Sequence, residues 1–287
     1  MYDRPYDQGF CIENLVDPAH FPISHHGSES HRDNAQPLEF EVIKTSIAGF
    51  RGRYRDTKKP NQNWIYLDFF APNLILYRWL NISSNSSVYL GFAVYLLPLG
   101  QGRCRVLSRL YRNSSTWQFQ IKPRWFSHLY RSRAIEEDMY FIWGAQVEVE
   151  RLGQSLNKIY LPLKTSDTLV IEYRKWLDKY GYSLPFYQGY STSKFHVLNK
   201  NTNTTPTPID RLERHTKICS SCNQVYQMTN LVKQILIGAA IALAALAILT
   251  DNSWVSPVAV TASLLALALA LVAQNVKTRF ERPYTRH

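Results

Sequence analysis

The first 30 residues contain no basic start followed by an apolar run, so no secretory signal is visible and the folded part is expected on the cytosolic side of any membrane. A compact Lys/Arg block is missing too. The 33 basic residues outnumber 22 acidic ones for a formal charge of +11, but they are scattered through aromatic, strand-like segments, which argues against nucleic acid as a partner. Cysteine is scarce: four in 287 residues make no disulfide framework, and only the close pair Cys219 and Cys222 asks for an explanation. Four Asn-x-Ser/Thr sequons, at Asn81, Asn85, Asn113 and Asn203, read as chance in Ser/Thr-rich loops when no secretory signal precedes them. Apolar residues, in contrast, make up 45% of the chain, enough to bury a sizeable core.

Composition divides the chain into residues 1–190, mixed and aromatic-rich; a polar linker over 191–229 that includes "NKNTNTTPTPIDR" and the Cys219/Cys222 pair; a strongly apolar stretch over 230–276; and a basic tail over 277–287. In the first part "EFEVIKTSIAGFRGRYR", "NWIYLDFFAPNLILYRWL" and "SSVYLGFAVYLLPLG" are rich in β-branched and aromatic residues and broken by Gly, Pro and Asn, which predicts antiparallel strands. The glycines of "PLGQG" suit a hairpin into a return strand, "RCRVLSRLYRN". A long helix is expected from Trp125 to about Arg151, where no proline intervenes. Another is expected at "SDTLVIEYRKWLDKYG", started near Ser166 or Asp167 and stopped at Gly181. Strands followed by long helices give an α+β class.

The apolar stretch splits into "LVKQILIGAAIALAALAILT" and "WVSPVAVTASLLALALALVAQNV" around "DNS". Neither half has a polar stripe for water, which favours a two-helix transmembrane hairpin over a pair of core helices. A short loop would bring Lys233 to the same side as Lys277, Arg279, Arg282 and Arg286, and the positive-inside rule makes that side cytoplasmic.

Near the start, "ENLVDPAHFPISHHG" crowds acidic residues, histidines and prolines together. Asp17, His20 and His25 have the spacing D-x2-H-x4-H, and Pro18 suits the first turn of a helix carrying the histidines. Two imidazoles and one carboxylate on one side of a ferrous ion leave coordination positions open for O2 and substrate. By itself a His pair is more often a surface or core coincidence.

The run "ENLVDPAH…H", with "PLGQGRCR", "PRWFSHLYRSRAIEEDMYFIWGAQ", "RKWLDKYG" and "RHTKICSSC", resembles Rieske-type non-haem iron oxygenases, and more narrowly the pheophorbide a oxygenase, chlorophyllide a oxygenase and Tic55-like group. The resemblance covers essentially the whole chain. It implies a helix-grip (START-like) domain, a curved antiparallel sheet over a long helix, followed by the membrane hairpin. It implies His20, His25 and Asp138 as ligands of a mononuclear Fe(II), with His26 unassigned and Asp17 bridging a ligating histidine to the reductant cluster. On a helical wheel Asp138 falls beside Ile135, Met139 and Ile142; the alternative is an exposed acidic cluster of Glu136, Glu137 and Asp138.

The family's Rieske [2Fe-2S] cluster uses C-x-H and C-x2-H pairs, and none of the four cysteines has a histidine at either spacing. The iron motif begins at residue 13, so the cluster is expected in trans or in a missing N-terminal domain, and electrons from a Rieske or ferredoxin-type donor. The resemblance makes Cys219 and Cys222 a redox-responsive pair and a thioredoxin target; a zinc site with His215 as third ligand lacks a recognisable fourth. It also implies a chlorophyll-like or other large apolar ring as substrate and leaves room for a homotrimer; the sequence itself offers only aromatics compatible with walls for such a ring, Trp64, Phe69, Tyr77, Tyr140 and Trp143, and such residues are more often ordinary core. The competing reading is a truncated, non-catalytic, membrane-anchored pigment-binding or scaffold protein.

Overall fold

The structure, a computed structural model, describes residues 1–58, 63–83, 86–100, 102–114, 116–117, 121–154, 156–163, 165–184 and 209–282. The sequons at Asn85 and Asn203, residues 191–208 of the expected linker, and Arg286 in the basic tail lie outside the described residues. The chain forms two units, residues 1–122 with 133–209 and residues 123–132 with 210–285.

The first unit is built on seven antiparallel strands: β1 (Tyr2–Arg4), β2 (Leu38–Ser46), β3 (Gly49–Asp56), β4 (Ile65–Phe70), β5 (Leu74–Ser83), β6 (Ser86–Gly100) and β7 (Arg103–Arg112). Their order is β1-β7-β6-β5-β4-β3-β2, so β2 to β7 is a simple meander and β1 closes the far edge. The predicted strands are all present. Gly100 and Gly102 take positive φ at the β6–β7 turn, as that hairpin requires. Asn81 lies within β5, paired with Val88, rather than in a loop, because the strand runs on to Ser83. Asn113 is also committed, its side-chain carbonyl accepting from the Tyr89 amide at 3.0 Å.

One face of the sheet is apolar. Leu67, Phe69, Ile75, Val94 and Leu96 are buried on it under helices α1 (Gln8–Val16), α3 (Arg124–Leu152, of which residues from Arg133 belong to this unit) and α5 (Thr168–Tyr180). Helix α5 follows its amphipathic pattern, burying Leu169, Val170, Tyr173, Trp176 and Leu177. Its approach is close at Gly52, where an added Cβ would stand 2.6 Å from Leu169 Cδ2. Glu13 of α1 and Arg174 of α5 form a forked ion pair at 3.0 and 2.6 Å. At the β2 edge, Arg53 and Arg55 pair with Glu41 and Glu39 and both lie over the Trp64 ring, at 4.3 and 4.5 Å. Two small helices complete this unit, α2 (Phe21–Ser24) and α4 (Leu156–Ile159).

In the second unit α6 (Ser220–Leu249) and α7 (Val255–Glu281) pack as a hairpin, both long and apolar enough to cross a membrane. Helix α6 begins ten residues before the expected apolar start at 230, because Ser220–Thr229 continues the same helical turn pattern with polar side chains. The seam on α7 is small: Ala259, Ser263, Ala266, Ala270 and Ala273 are buried, and Ser263 donates to the Ala240 carbonyl at 2.9 Å. Large side chains point outward, with Ile241, Ile248, Leu264 and Leu271 exposed. The loop is short, as expected, and Asn252 Oδ1 accepts from the Trp254 amide at 3.0 Å. Lys233 Nζ meets Gln274 Oε1 at 3.0 Å, so the basic ends of the hairpin do share one side.

Candidate metal centre

The stretch after α1 does not form the single helix expected to carry the histidines. Asp17 ends α1, its Oδ1 accepts from the Ala19 amide at 2.9 Å, and the chain makes a 3-10 turn over Pro18–His20 before the four residues of α2. Two prolines, Pro18 and Pro22, lack the amide protons a longer helix would need. The break places His20 at one turn's end and His25 just past the other.

Both imidazoles are tethered through Nδ1. The His20 Nδ1 meets the Asp17 backbone carbonyl, while the Asp17 carboxylate stands further off, 3.8 Å away. His25, 3% exposed, meets Glu137 Oε2 at 3.0 Å, and Glu137 is held in turn by Ser28 Oγ at 2.6 Å and Arg133 Nε at 3.3 Å. With Nδ1 tethered, Nε2 of each ring is turned to the same place, a common arrangement for metal-ligating histidines. Asp138 of α3 arrives there from the other side: its Oδ1 is 3.8 Å from His20 Nε2 and 3.4 Å from His25 Nε2. The donor atoms of His20, His25 and Asp138 all lie within 4.8 Å of one another.

The surroundings of Asp138 suit a cation. Its Oδ2 accepts from Asn14 Nδ2 at 3.2 Å, whereas Oδ1 is buried and has no hydrogen-bond partner among the described residues. Such an atom is costly unless something positive faces it. Burial pushes the Asp138 carboxyl upward, but His25 and His20 outweigh it and hold it below the ordinary carboxylate range. Two imidazole nitrogens and one ionised oxygen converging on one point suit a divalent ion.

The alternative of an exposed acidic cluster fails. Glu136 is 1% exposed and accepts from Tyr2 OH at 2.9 Å; Glu137 orients His25; only Asp138 offers an oxygen to the centre. Sequence reasoning missed Glu137 and Asn14. Their signals were adjacency to Asp138 in "IEEDMYF" and a place within "ENLVDPAH". His26 turns away, its Nδ1 accepting from the Arg32 amide at 3.1 Å and its ring edge-on to His31. The expected aromatic wall does not gather. Trp64 lies against arginines, Phe69 is core beside Tyr173 and Trp176, and Tyr140 is 57% exposed. Tyr77 reaches the Leu15 carbonyl, and Trp143 packs on the core. Cys219 and Cys222 are both free thiols.

An α+β domain that brings two imidazoles and a carboxylate within 4.8 Å of one another offers the kind of donor set that non-haem iron oxygenases use. Residues 69–155 match the pheophorbide a oxygenase family model. The chain is 31% identical to the chloroplastic protein TIC 55 of Pisum sativum over 99% of its own length and 57% of that protein's. It is 26% identical to the chloroplastic pheophorbide a oxygenase of Arabidopsis thaliana, over 97% of this chain and 54% of that one. It is thus similar to the pheophorbide a oxygenase and TIC 55 proteins, as its motifs imply, and spans little more than half the length of these relatives. The solved structure of Pseudomonas putida CBB5 NdmA with caffeine overlaps at a TM-score of 0.43, with 19% identity, covering 61% of this chain and 48% of that one.

Proposed function

We propose that the chain is the mononuclear iron part of a membrane-anchored, O2-dependent oxygenase, with His20, His25 and Asp138 as the iron ligands. The observation that carries this reading is the buried Asp138 Oδ1, which accepts no well-formed hydrogen bond among the described residues and has two tethered imidazoles 3.4 and 3.8 Å away. Ferrous iron, when bound there, supplies electrons to O2 at coordination positions the protein leaves open. The residues around it have separate tasks. Glu137 and the Asp17 carbonyl fix the rings, and Asn14 occupies one Asp138 oxygen so that the other is presented. The Asp17 carboxylate, 26% exposed and beside His20, is the group on the path by which electrons reach the iron. No cysteine in these residues has a C-x-H or C-x2-H partner, so those electrons come from a Rieske [2Fe-2S] centre outside this sequence.

The sheet with α3 and α5 across its apolar face supports the helix-grip reading. Relationship to pheophorbide a oxygenase supports a chlorophyll-derived or other large apolar ring as substrate. The α6–α7 hairpin is read as the anchor, with its basic end on the cytoplasmic or stromal face. Chloroplastic relatives support a plastid membrane in a phototroph.

The test is anaerobic reconstitution of the full chain in detergent with ferrous iron, followed by turnover with a reductase, NADPH, O2 and a separate Rieske protein. Iron is expected to bind at His20, His25 and Asp138, and a chlorophyll-type substrate to turn over only when the Rieske protein is added. Iron binding undiminished in the His20→Ala/His25→Ala double variant would sink the site. Turnover by the chain without the Rieske protein would sink the electron route.

A further inference from the structure

His215, Cys219 and Cys222 fall within eight residues, as H-x3-C-x2-C, and lack a fourth donor in the local sequence. The fold supplies one. His128, near the start of α3, places its Nδ1 3.4 Å from Cys219 Sγ and 3.4 Å from Cys222 Sγ, while His215 Nε2 lies 3.3 Å from Cys222 Sγ. All four donor atoms are within 4.8 Å of one another, and all four residues belong to the second unit. We propose that His128, His215, Cys219 and Cys222 form a tetrahedral zinc site, separate from the iron centre.

Geometry supports this in three ways. Zn–S bonds of about 2.3 Å and Zn–N bonds of about 2.0–2.1 Å, set at the tetrahedral angle, put N and S about 3.6 Å apart, close to what the cluster shows before any ion draws it together. Hydrogen bonding alone accounts for the contacts poorly. His128 Nδ1 has one lone pair but faces two sulfurs, and Cys222 has one proton but faces two ring nitrogens. A central cation satisfies every contact at once. The site is also sheltered, with His215 4% and Cys222 0% exposed.

The backbone is arranged for it. His215 sits in the π-helical turn Leu212–Thr216, whose end is knitted by its own carbonyl, which accepts from the Ile218 amide at 3.1 Å and the Cys219 amide at 2.9 Å. Cys219 stands at the N-cap of α6 and Cys222 within its first turn. Two thiolates and two neutral imidazoles are a common structural zinc set and leave the filled site uncharged. Binding releases two thiol protons and changes no oxidation state, so no oxidant is needed. The zinc would tie the start of α3 to the base of the α6–α7 hairpin.

The experiment uses the full chain in detergent. In the His20→Ala/His25→Ala background, which removes the other site, metal analysis is expected to find about one zinc per chain, and adding Cys222→Ser to remove it. Alkylation of Cys219 and Cys222 should be at least about 10-fold slower with zinc than after chelation, since a metal-bound thiolate is no longer a free nucleophile. Should those variants not fold, the unmutated chain loaded with cobalt(II) decides: sulfur-to-cobalt absorption in the near ultraviolet is expected. Absence of that absorption overturns the proposal. So does isolation of Cys219–Cys222 as a disulfide from chain purified without chelator, which would return the pair to the redox role its sequence resemblance implies.

Discussion

His20, His25 and Asp138 offer three donors, two nitrogens and an oxygen, whereas His128, His215, Cys219 and Cys222 offer four, two nitrogens and two sulfurs. The first set comes from a broken turn and a helix far along the chain, so it exists only when the first unit has folded. The second is mostly local: three of its members lie within one turn and the helix start that follows it, and only His128 arrives from elsewhere. Their supports differ as well. Every residue of the first set, proposed as an iron ligand, leans on another group, with Glu137, Asn14 and the Asp17 carbonyl behind it. The donors of the second face one another at 3.3 to 3.4 Å. A centre that must leave room for reactants needs its few ligands held from behind, while a closed one is held by the ion itself.

The sharpest way to break this contrast is His25→Ala. Losing one of three ligands should weaken ferrous binding by more than about 100-fold, beyond what loss of an outer partner costs, and leave zinc at the other cluster unchanged; metal titration with elemental analysis reads both. Next comes Leu169→Ala, which empties part of the core over Gly52. It should cost about 2–5 kcal/mol in the unfolding of the first unit, and hydrogen exchange should show the α6–α7 hairpin unaffected. Glu137→Gln should weaken iron binding about 10–100-fold, because the His25 ring loses its charged acceptor. The smallest effect is expected from Asp17→Asn. Iron affinity should fall less than about 10-fold, since the backbone carbonyl still holds His20, while turnover with a Rieske donor falls far more. Equal losses of iron and turnover would make the Asp17 carboxylate an ordinary tether.

Much of the scaffold is legible before folding. The six longer strands announce themselves by β-branched and aromatic runs between turn residues, and α3 and α5 end within a residue or two of their expected limits. Strand β1 does not, since Tyr2–Arg4 is three residues long and is defined only by pairing with β7. The inward face of α3 is equally hidden, because its buried positions include Glu136, Glu137 and Gln146 as well as Met139 and Ile142. A hydrophobicity pattern scores those as solvent-facing, although each has a partner inside. Spacing singles out His20 and His25 as candidates, the family resemblance alone adds Asp138 and the iron, and His128 is reached by neither. Residues joined only in the folded chain leave no local period to read.

The small side chains along the α6–α7 seam separate the two units in what drives them together. Burial of Leu67, Phe69 and Trp176 in the first unit draws its stability from taking apolar surface out of water. With the hairpin in a bilayer, as proposed, the contact of Ala259, Ser263, Ala266, Ala270 and Ala273 with α6 is one of close approach and van der Waals fit, needing no water to enforce it. Urea, which acts by solvating newly exposed surface, therefore has a strong grip on the sheet and little on the hairpin. Denaturation of this chain should be a two-part process, with the paired helices persisting in detergent after the sheet has unfolded.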